Sequence, residues 1–324
     1  MAMRMNFLEI LATVEADFAA VDHYIHNNLD SRVPLIMQVG QYLVHGGGKR
    51  LRPLMSLLAA RATGYAGEKH VPLAAIIEML HTATLIHDDV VDESDLRRGR
   101  ATVNAAWNNA TAVLVGDFLI SRAFQLILDL ENPVITRLIA DGTLIIAEGE
   151  VLQLINQRDP DTTEERYMDV IYGKTAQLFV TAAECGAVLG NPDFRDAMNR
   201  YAKHFGAAFQ IIDDVLDYTS SAEEMGKNVG DDLAEGKPTL PLIQGMKLAA
   251  PADAELIRAA IRTGGLEHLD HIIGIIRDCG ALDYCRERAV RESEAAMAAL
   301  ACLPESPYKA AMGGLVRLAL DRKN

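Results

Sequence analysis

Apolar residues recur along the chain at i, i+3, i+4 spacing, filled mostly by Ala, Leu and Ile. Period-2 alternation bounded by turn residues does not recur. The periodicity predicts helices over residues 5–30, 32–46, 52–64, 71–93, 101–109, 111–130, 132–157, 163–190, 194–219, 238–249, 253–263, 266–302 and 306–322. Helix-breaking or helix-starting stretches stand between them: "GGGK", "NPD", "RDPDTTEE", "APADA" and "LPESPY". Thr162 or Thr163, followed by Glu164 and Glu165, reads as a cap with acids in the first turn. No low-complexity linker or short-period repeat divides the chain, so the pattern predicts one all-α domain over residues 1–324.

Composition narrows the function. Half of the residues are hydrophobic and 23% charged, with a mean hydropathy of +0.07, so helices are buried on several sides or enclose an apolar cavity. A formal charge of -14 argues against a nucleic-acid partner, because nothing neutralises phosphates along an extended surface. Lys and Arg clusters are then site chemistry. Cys185, Cys279, Cys285 and Cys302 have no metal-binding spacing and are expected to be buried, reduced thiols. The N-terminal segment lacks the apolar core of a signal peptide, and Met5 is an alternative start to Met1. The most apolar window, "TAVLVGDFLISRAFQLILDL", carries Asp117, Arg122, Gln125 and Asp129, too polar for a span of ~20 residues. The expectation is a cytoplasmic protein without a transmembrane segment.

One echo carries chemistry: "HDDVVDE" at 87–93 and "IDDVLDY" at 212–218. Each closes an apolar helical run. In a helix, positions i and i+4 share a face, so Asp88 points with Asp92, and Asp89 is turned about 100° from Asp88. Asp213, Asp217 and Asp214 repeat the triangle. A solvated acidic helix end would account for one such motif. Acids at a helix C-terminus oppose the dipole, however, and raise one another's pKa. Two copies of so costly an arrangement point to a divalent cation. All-oxygen donors suit Mg²⁺, which is held by a few carboxylates and by substrate phosphates, here expected to bridge two facing helices.

Cations stand beside both acid motifs. "HGGGKRLRP" sets Gly46, Gly47 and Gly48 before Lys49, Arg50 and Arg52, and glycines allow the backbone to approach phosphate oxygens that Lys and Arg then bind. A helix C-cap followed by a basic helix start is the plainer alternative. Arg97 and Arg98 follow the first acid motif, and Lys227 and Lys237 follow the second. "YGKTAQLF" ends like a P-loop, but Met168 stands where the loop needs glycine and no strand precedes it. Lys174 and Thr175 remain phosphate ligands presented from a helix.

In order, "GGGKRLRP", "DDVVD" with its trailing "RR", "GKTAQL" and "FQIIDDVLDY…GKNVGDDLAEGKPTLP" resemble the signature of the polyprenyl synthetase family, the head-to-tail trans-isoprenyl diphosphate synthases. The resemblance spans nearly the whole chain and is strongest to bacterial long-chain members. It implies an isoprenoid synthase (terpenoid synthase) helical bundle around a central cavity. Lys49, Arg52, His81 and Arg98 would hold the diphosphate of isopentenyl diphosphate. Asp88, Asp92 and Asp213 would ligate Mg²⁺, with Asp89, Asp214 and Asp217 as nearby or water-mediated partners. Arg97, Lys174, Lys227 and Lys237 would grip the allylic diphosphate, and Thr175 and Gln210 would line its site. The resemblance further implies a homodimer, transient membrane contact for product release, and octaprenyl diphosphate as product.

An allylic cation formed as diphosphate leaves needs a dry pocket, and the attacking isopentenyl double bond then loses a proton. Short-chain members are commonly bulky just before the first acid motif, where this chain has Ala83 and Thr84. Their smallness implies an open tunnel and a long product. Ile127 and Ile139 are the candidate floor, ahead of Leu126 and Phe124. A terpene cyclase would replace the second motif and would not need "GGGKRLRP". A non-catalytic subunit of a heteromeric synthase would lose acids, whereas all six aspartates are intact here.

Overall fold

The computed structural model describes residues 5–44, 46–220 and 229–322. Its helices are α1 (Phe7–Ala12), α2 (Glu15–Asn28), α3 (Pro34–Val44), α4 (Leu51–Ala62), α5 (His70–Val91), α6 (Val103–Ala106), α7 (Asn109–Asp129), α8 (Pro133–Asn156) and α9 (Glu164–Val170). A π-helix (Ile171–Ala176) leads into α10 (Gln177–Leu189), followed by α11 (Arg195–Leu216) and α12 (Asp231–Ala234). The chain ends with α13 (Leu240–Leu248), α14 (Pro251–Thr263), α15 (Leu269–Asp278), α16 (Ala281–Ala299) and α17 (Pro307–Leu320). The only strands among the described residues are β1 (Leu96–Arg97) and β2 (Arg100–Ala101), an antiparallel ribbon.

Local chemistry sets the boundaries. Asn6 and Glu9 form a capping box at α1, and Thr163 accepts the Arg166 N–H at α9, with Glu164 and Glu165 in its first turn. Three predicted helices are divided. The span 5–30 breaks at Thr13–Val14, and 266–302 breaks at Cys279–Gly280, where Gly280 has φ 82°. The span 163–190 is interrupted by the π-helix.

The chain forms two compact units. The first comprises the residues up to Gly142, Leu178–Asn199 and Leu300–Leu315. The second comprises Thr143–Gln177, Arg200–Ala299 and the residues from Val316 onward. In the first, α5 packs against α2, α4 and α7 and is apolar nearly all round: Leu73, Ile76, Ile77, Leu80 and Ile86 are buried. Each such side chain contributes roughly 1.5–3 kcal/mol on leaving water, and this anchors the polar end of α5 at a fixed place. In the second unit the core joins Tyr167, Ile171, Ile211 and Val215 to residues of α13–α16. Cys185 and Cys285 are buried as expected, whereas Cys279 is partly exposed and Cys302 lies at the surface.

Candidate active site

In the first unit, α5 carries Glu78, His81, Asp88, Asp89 and Asp92. Asp88 and Asp92 lie about 40° apart around the helix, and Asp92, the first residue past its end, donates its N–H to the Asp88 carbonyl at 2.8 Å. Asp89 faces inward and is buried. Arg97 meets its Oδ1 through Nε and Nη2, each at 2.7 Å. Burial raises the Asp89 pKa, and Arg97 opposes that rise. The β1–β2 ribbon delivers Arg97, and its turn residues Arg98 and Gly99 both have positive φ, as tight hairpins need.

The glycine loop is built around the next arginine. Arg98 Nη1 donates to the Gly47 carbonyl, and a Cβ on Gly48 (φ 129°) would run into the Arg98 guanidinium. Arg50 caps α4 in a left-handed conformation (φ 45°), pairs with Asp22 and lies 4.0 Å from Glu78. Arg52 is 3.0 Å from His81 Nε2 and stacks 4.4 Å over the Phe179 ring. Burial, then Arg52, Arg98 and Arg97, push the His81 pKa well below its usual value. Its imidazole is therefore neutral and accepts from Arg52. Burial lowers Arg52 to about 10, so it keeps its charge at neutral pH. Lys49 is exposed at the loop's end. A cavity of about 110 Å³ on this flank is lined by Arg50, Glu78, Asp89, Arg97 and Arg98 and by apolar side chains that include Ile25, Met79 and Leu119.

In the second unit, Asp213 lies in the last turn of α11 and Asp217 just beyond it. Asp214 is buried between neutral donors: Tyr167 Oη at 2.6 Å and Gln210 Nε2 at 2.7 Å. Gln210 in turn accepts from Thr175 at 3.0 Å. Burial, reinforced by Asp232 and Asp213, raises the Asp214 pKa well above the carboxylate range. Asp217 is buried and accepts the Asp232 N–H at 3.3 Å. Asp213 is partly exposed and 3.2 Å from Arg322 Nη2. The π-helix presents Lys174 to Glu150 at 2.5 Å and to Gln153 at 2.8 Å. It passes so close to α8 that a Cβ on Gly149 would lie 2.6 Å from the Lys174 nitrogen. Lys237 pairs with Glu235. Lys227 lies outside the described residues.

The donors suit a hard cation. Among the described residues no three His, Cys, Asp or Glu side chains converge to cage a metal. Of the small residues before the first motif, Thr84, four residues back, lies about 40° from Asp88 around the helix, whereas Ala83, five residues back, is turned about 140° away. Ala83 is fully buried, and Thr84 Oγ1 donates to the His81 carbonyl at 2.8 Å. Ile127, Ile139 and Leu126 are buried, and Phe124 is exposed. Sequence reasoning missed Glu78, Glu150, Gln153, Tyr167 and Arg322. Glu78 left one signal, a lone charge inside the run "LAAIIEML"; Tyr167 and Arg322 left none.

Comparison with known proteins identifies the family. The polyprenyl synthetase family model matches residues 33–276. The chain is 58% identical over 316 residues to the all-trans-nonaprenyl-diphosphate synthase (geranyl-diphosphate specific) of Rhodobacter capsulatus, covering 97% of each chain. It is 50% identical over 321 residues to the octaprenyl diphosphate synthase of Escherichia coli strain K12, covering 98% of this chain and 99% of that one. The structure of the Caulobacter crescentus CB15 polyprenyl synthase, complexed with calcium and isoprenyl diphosphate, superposes with a TM-score of 0.95 at 39% identity, over 99% of both chains. The fold is thus the all-α terpenoid synthase fold, and the chain belongs to the polyprenyl synthetase family of prenyltransferases.

Proposed function

We propose that this chain is a Mg²⁺-dependent trans-polyprenyl diphosphate synthase that condenses isopentenyl diphosphate onto an allylic diphosphate, to a product of eight or nine isoprene units. The observation that carries this reading is the pair of Asp-rich helix ends, each with cations of the diphosphate-binding kind on the same unit. The two lengths follow the relatives named for octaprenyl and nonaprenyl products. The catalytic region is read as one polyprenyl synthetase domain over 1–324, since the family match runs through residues of both units.

In this reading Asp88, Asp92 and Asp213 hold Mg²⁺, which when bound stabilises the charge that gathers on the leaving diphosphate. Arg97, Lys174, Lys227 and Lys237 bind that same group, with Asp89, Asp214 and Asp217 orienting its ligands. Lys49, Arg52 and Arg98 bind the isopentenyl diphosphate, and neutral His81 fixes the Arg52 guanidinium by accepting its N–H. The isopentenyl double bond attacks C1 of the allylic cation, and the departing diphosphate takes the proton released. Thr175 and Gln210 line the allylic diphosphate site. The buried Ile127 and Ile139 are the tunnel-floor candidates.

Homodimerisation belongs to this reading: α7 leaves Leu114 and Leu128 exposed, and α8 leaves Leu144, Val151, Leu154 and Ile155 exposed. α7 is long and apolar enough to cross a membrane, yet 44% of its most apolar stretch is buried, so we read it as a packed helix with a self-association face. Four free thiols accord with a cytoplasmic location, and a long apolar product calls for transient membrane contact at release.

The test is incubation of purified protein with isopentenyl diphosphate, Mg²⁺ and either geranyl or farnesyl diphosphate, with EDTA controls and chromatography of the products. A discrete metal-dependent product of eight or nine units is expected. A shorter product rejects the length assignment, and no elongation by folded, metal-loaded protein rejects the activity. Ile127→Ala or Ile139→Ala should lengthen the product by one or more units; unchanged length in both removes them as the floor.

A further inference from the structure

The π-helix holds three side chains in three directions: Tyr172 toward α16, Lys174 toward α8 and Thr175 toward α11. Two of these are assigned to substrate in the proposed function. Tyr172 is not, and its partners form an ionic network in the second unit outside the acid motif. Tyr284, Arg288 and Glu292 occupy i, i+4 and i+8 of α16, one face of that helix. Tyr284 donates to Glu164 Oε2 at 2.8 Å, and Arg288 Nε lies 3.5 Å from Glu164 Oε1, so both hold the first residue of α9. Glu292 accepts from Tyr172 at 3.3 Å, from Arg288, and from His204 of α11 at 2.6 Å.

Glu292 is buried. Burial alone would raise its pKa, but His204 and Arg288 more than offset this and keep it ionised. A buried ionic group is no more stabilising than a well-packed apolar one, and its best-attested use is to fix one arrangement among several. The arrangement here is a π-turn, a rare geometry that recurs at functional sites. The α16 face grips both ends of the segment Glu164–Tyr172, and that segment also supplies Tyr167 to Asp214.

We propose that Tyr284, Arg288 and Glu292 are positioning residues, a splint that fixes the rotation of the π-helix and hence the direction in which Lys174 and Thr175 meet the allylic diphosphate. This rests on the substrate roles assigned above. None of the three is assigned a substrate contact in that reading. Their loss should therefore weaken the allylic substrate selectively.

The test compares wild type with Glu292→Gln, Glu292→Asp and Lys174→Ala. Steady-state KM is measured for each substrate separately, and hydrogen exchange is followed over residues 171–176. Glu292→Gln should raise the allylic KM about tenfold, the scale of a small misplacement, leave the isopentenyl KM within about twofold, and speed exchange at 171–176. Glu292→Asp should recover most of both changes. Unchanged exchange over 171–176, or two KM values rising together, overturns the proposal. If Glu292→Gln speeds that exchange while Lys174→Ala leaves the allylic KM unchanged, the splint stands and the substrate role of Lys174 falls.

Discussion

The two D-D-x-x-D motifs read alike but are built differently. At the end of α5 the middle aspartate, Asp89, is neutralised by a cation, Arg97. At the end of α11 the middle aspartate, Asp214, is surrounded by neutral donors, Tyr167 and Gln210, and its pKa is driven far upward by burial. The outer positions differ as well. Asp92 is partly exposed, whereas Asp217 is fully buried. One pattern of letters thus encodes one charge-paired site and one strongly desolvated site, and the distinction lies in the partners: a nearby Arg97 for Asp89, and for Asp214 the neighbouring Gln210 with the distant Tyr167.

The outer aspartates give the largest expected effect. Asp88→Asn, Asp92→Asn and Asp213→Asn should each lower kcat by about 10²–10³-fold, the range for losing one electrostatic stabiliser of developing charge. Folding measured by circular dichroism should be unaffected. Near-normal turnover in Asp213→Asn would show that only the first motif engages metal.

Stability separates the middle aspartates. Asp89→Asn strips the partner from Arg97, which is about a third exposed, so the loss should be about 1–2 kcal/mol in urea unfolding. Asp214→Asn replaces a carboxyl whose pKa is raised with a neutral amide of similar shape, and should cost less than about 1 kcal/mol. Equal losses would mean that the two environments do not differ in this way.

His81 provides a pH test in the first unit. Its folded pKa lies below the unfolded value, so below about pH 6.5 the unfolded chain binds more protons than the folded one. Its stabilising contribution is complete above that pH and declines as the pH falls toward the folded pKa. His81→Gln should flatten the urea midpoint between pH 7 and 5 relative to wild type, and parallel profiles would refute the neutral imidazole. The smallest effect concerns Arg322, which pairs with Asp213. Arg322→Ala should tighten Mn²⁺ binding by a few-fold or less, as expected for removing a partly exposed ion pair. A loss of Mn²⁺ affinity would instead make Arg322 an organiser of Asp213.

Periodicity was enough to read the helical fold, because α5, α7 and α11 are long apolar runs closed by polar residues. The ribbon at 96–101 escaped it, since two-residue strands are too short to alternate. The π-helix escaped because its one extra residue shifts the phase of an apolar stripe only once, and the run Leu178–Ala187 that follows is buried on every side, with no polar face to register the shift. In the candidate site, acids and cations repeated in motifs were legible. Partners that act by distance in space, such as Tyr167 on Asp214 or Glu78 among three arginines, were not. The inward direction of Ala83 could have been read from helical rotation alone, because five residues do not complete a whole number of turns.

The approach of α8 to the π-helix has a consequence for how this enzyme can vary. Gly149 and Gly173 meet backbone to backbone, with the Gly173 carbon 2.8 Å from where a methyl on Gly149 would stand. Neither glycine carries a side chain that could touch substrate, yet a single carbon added at Gly149 would wedge the two segments apart and carry Lys174 with it, while one added at Gly173 would press on Gly149 at 3.3 Å. In a saturation scan Gly149 should rank with the aspartates in intolerance, and Gly173 should be less sensitive. A survey of sensitivity that scored only chemistry-bearing side chains would overlook them.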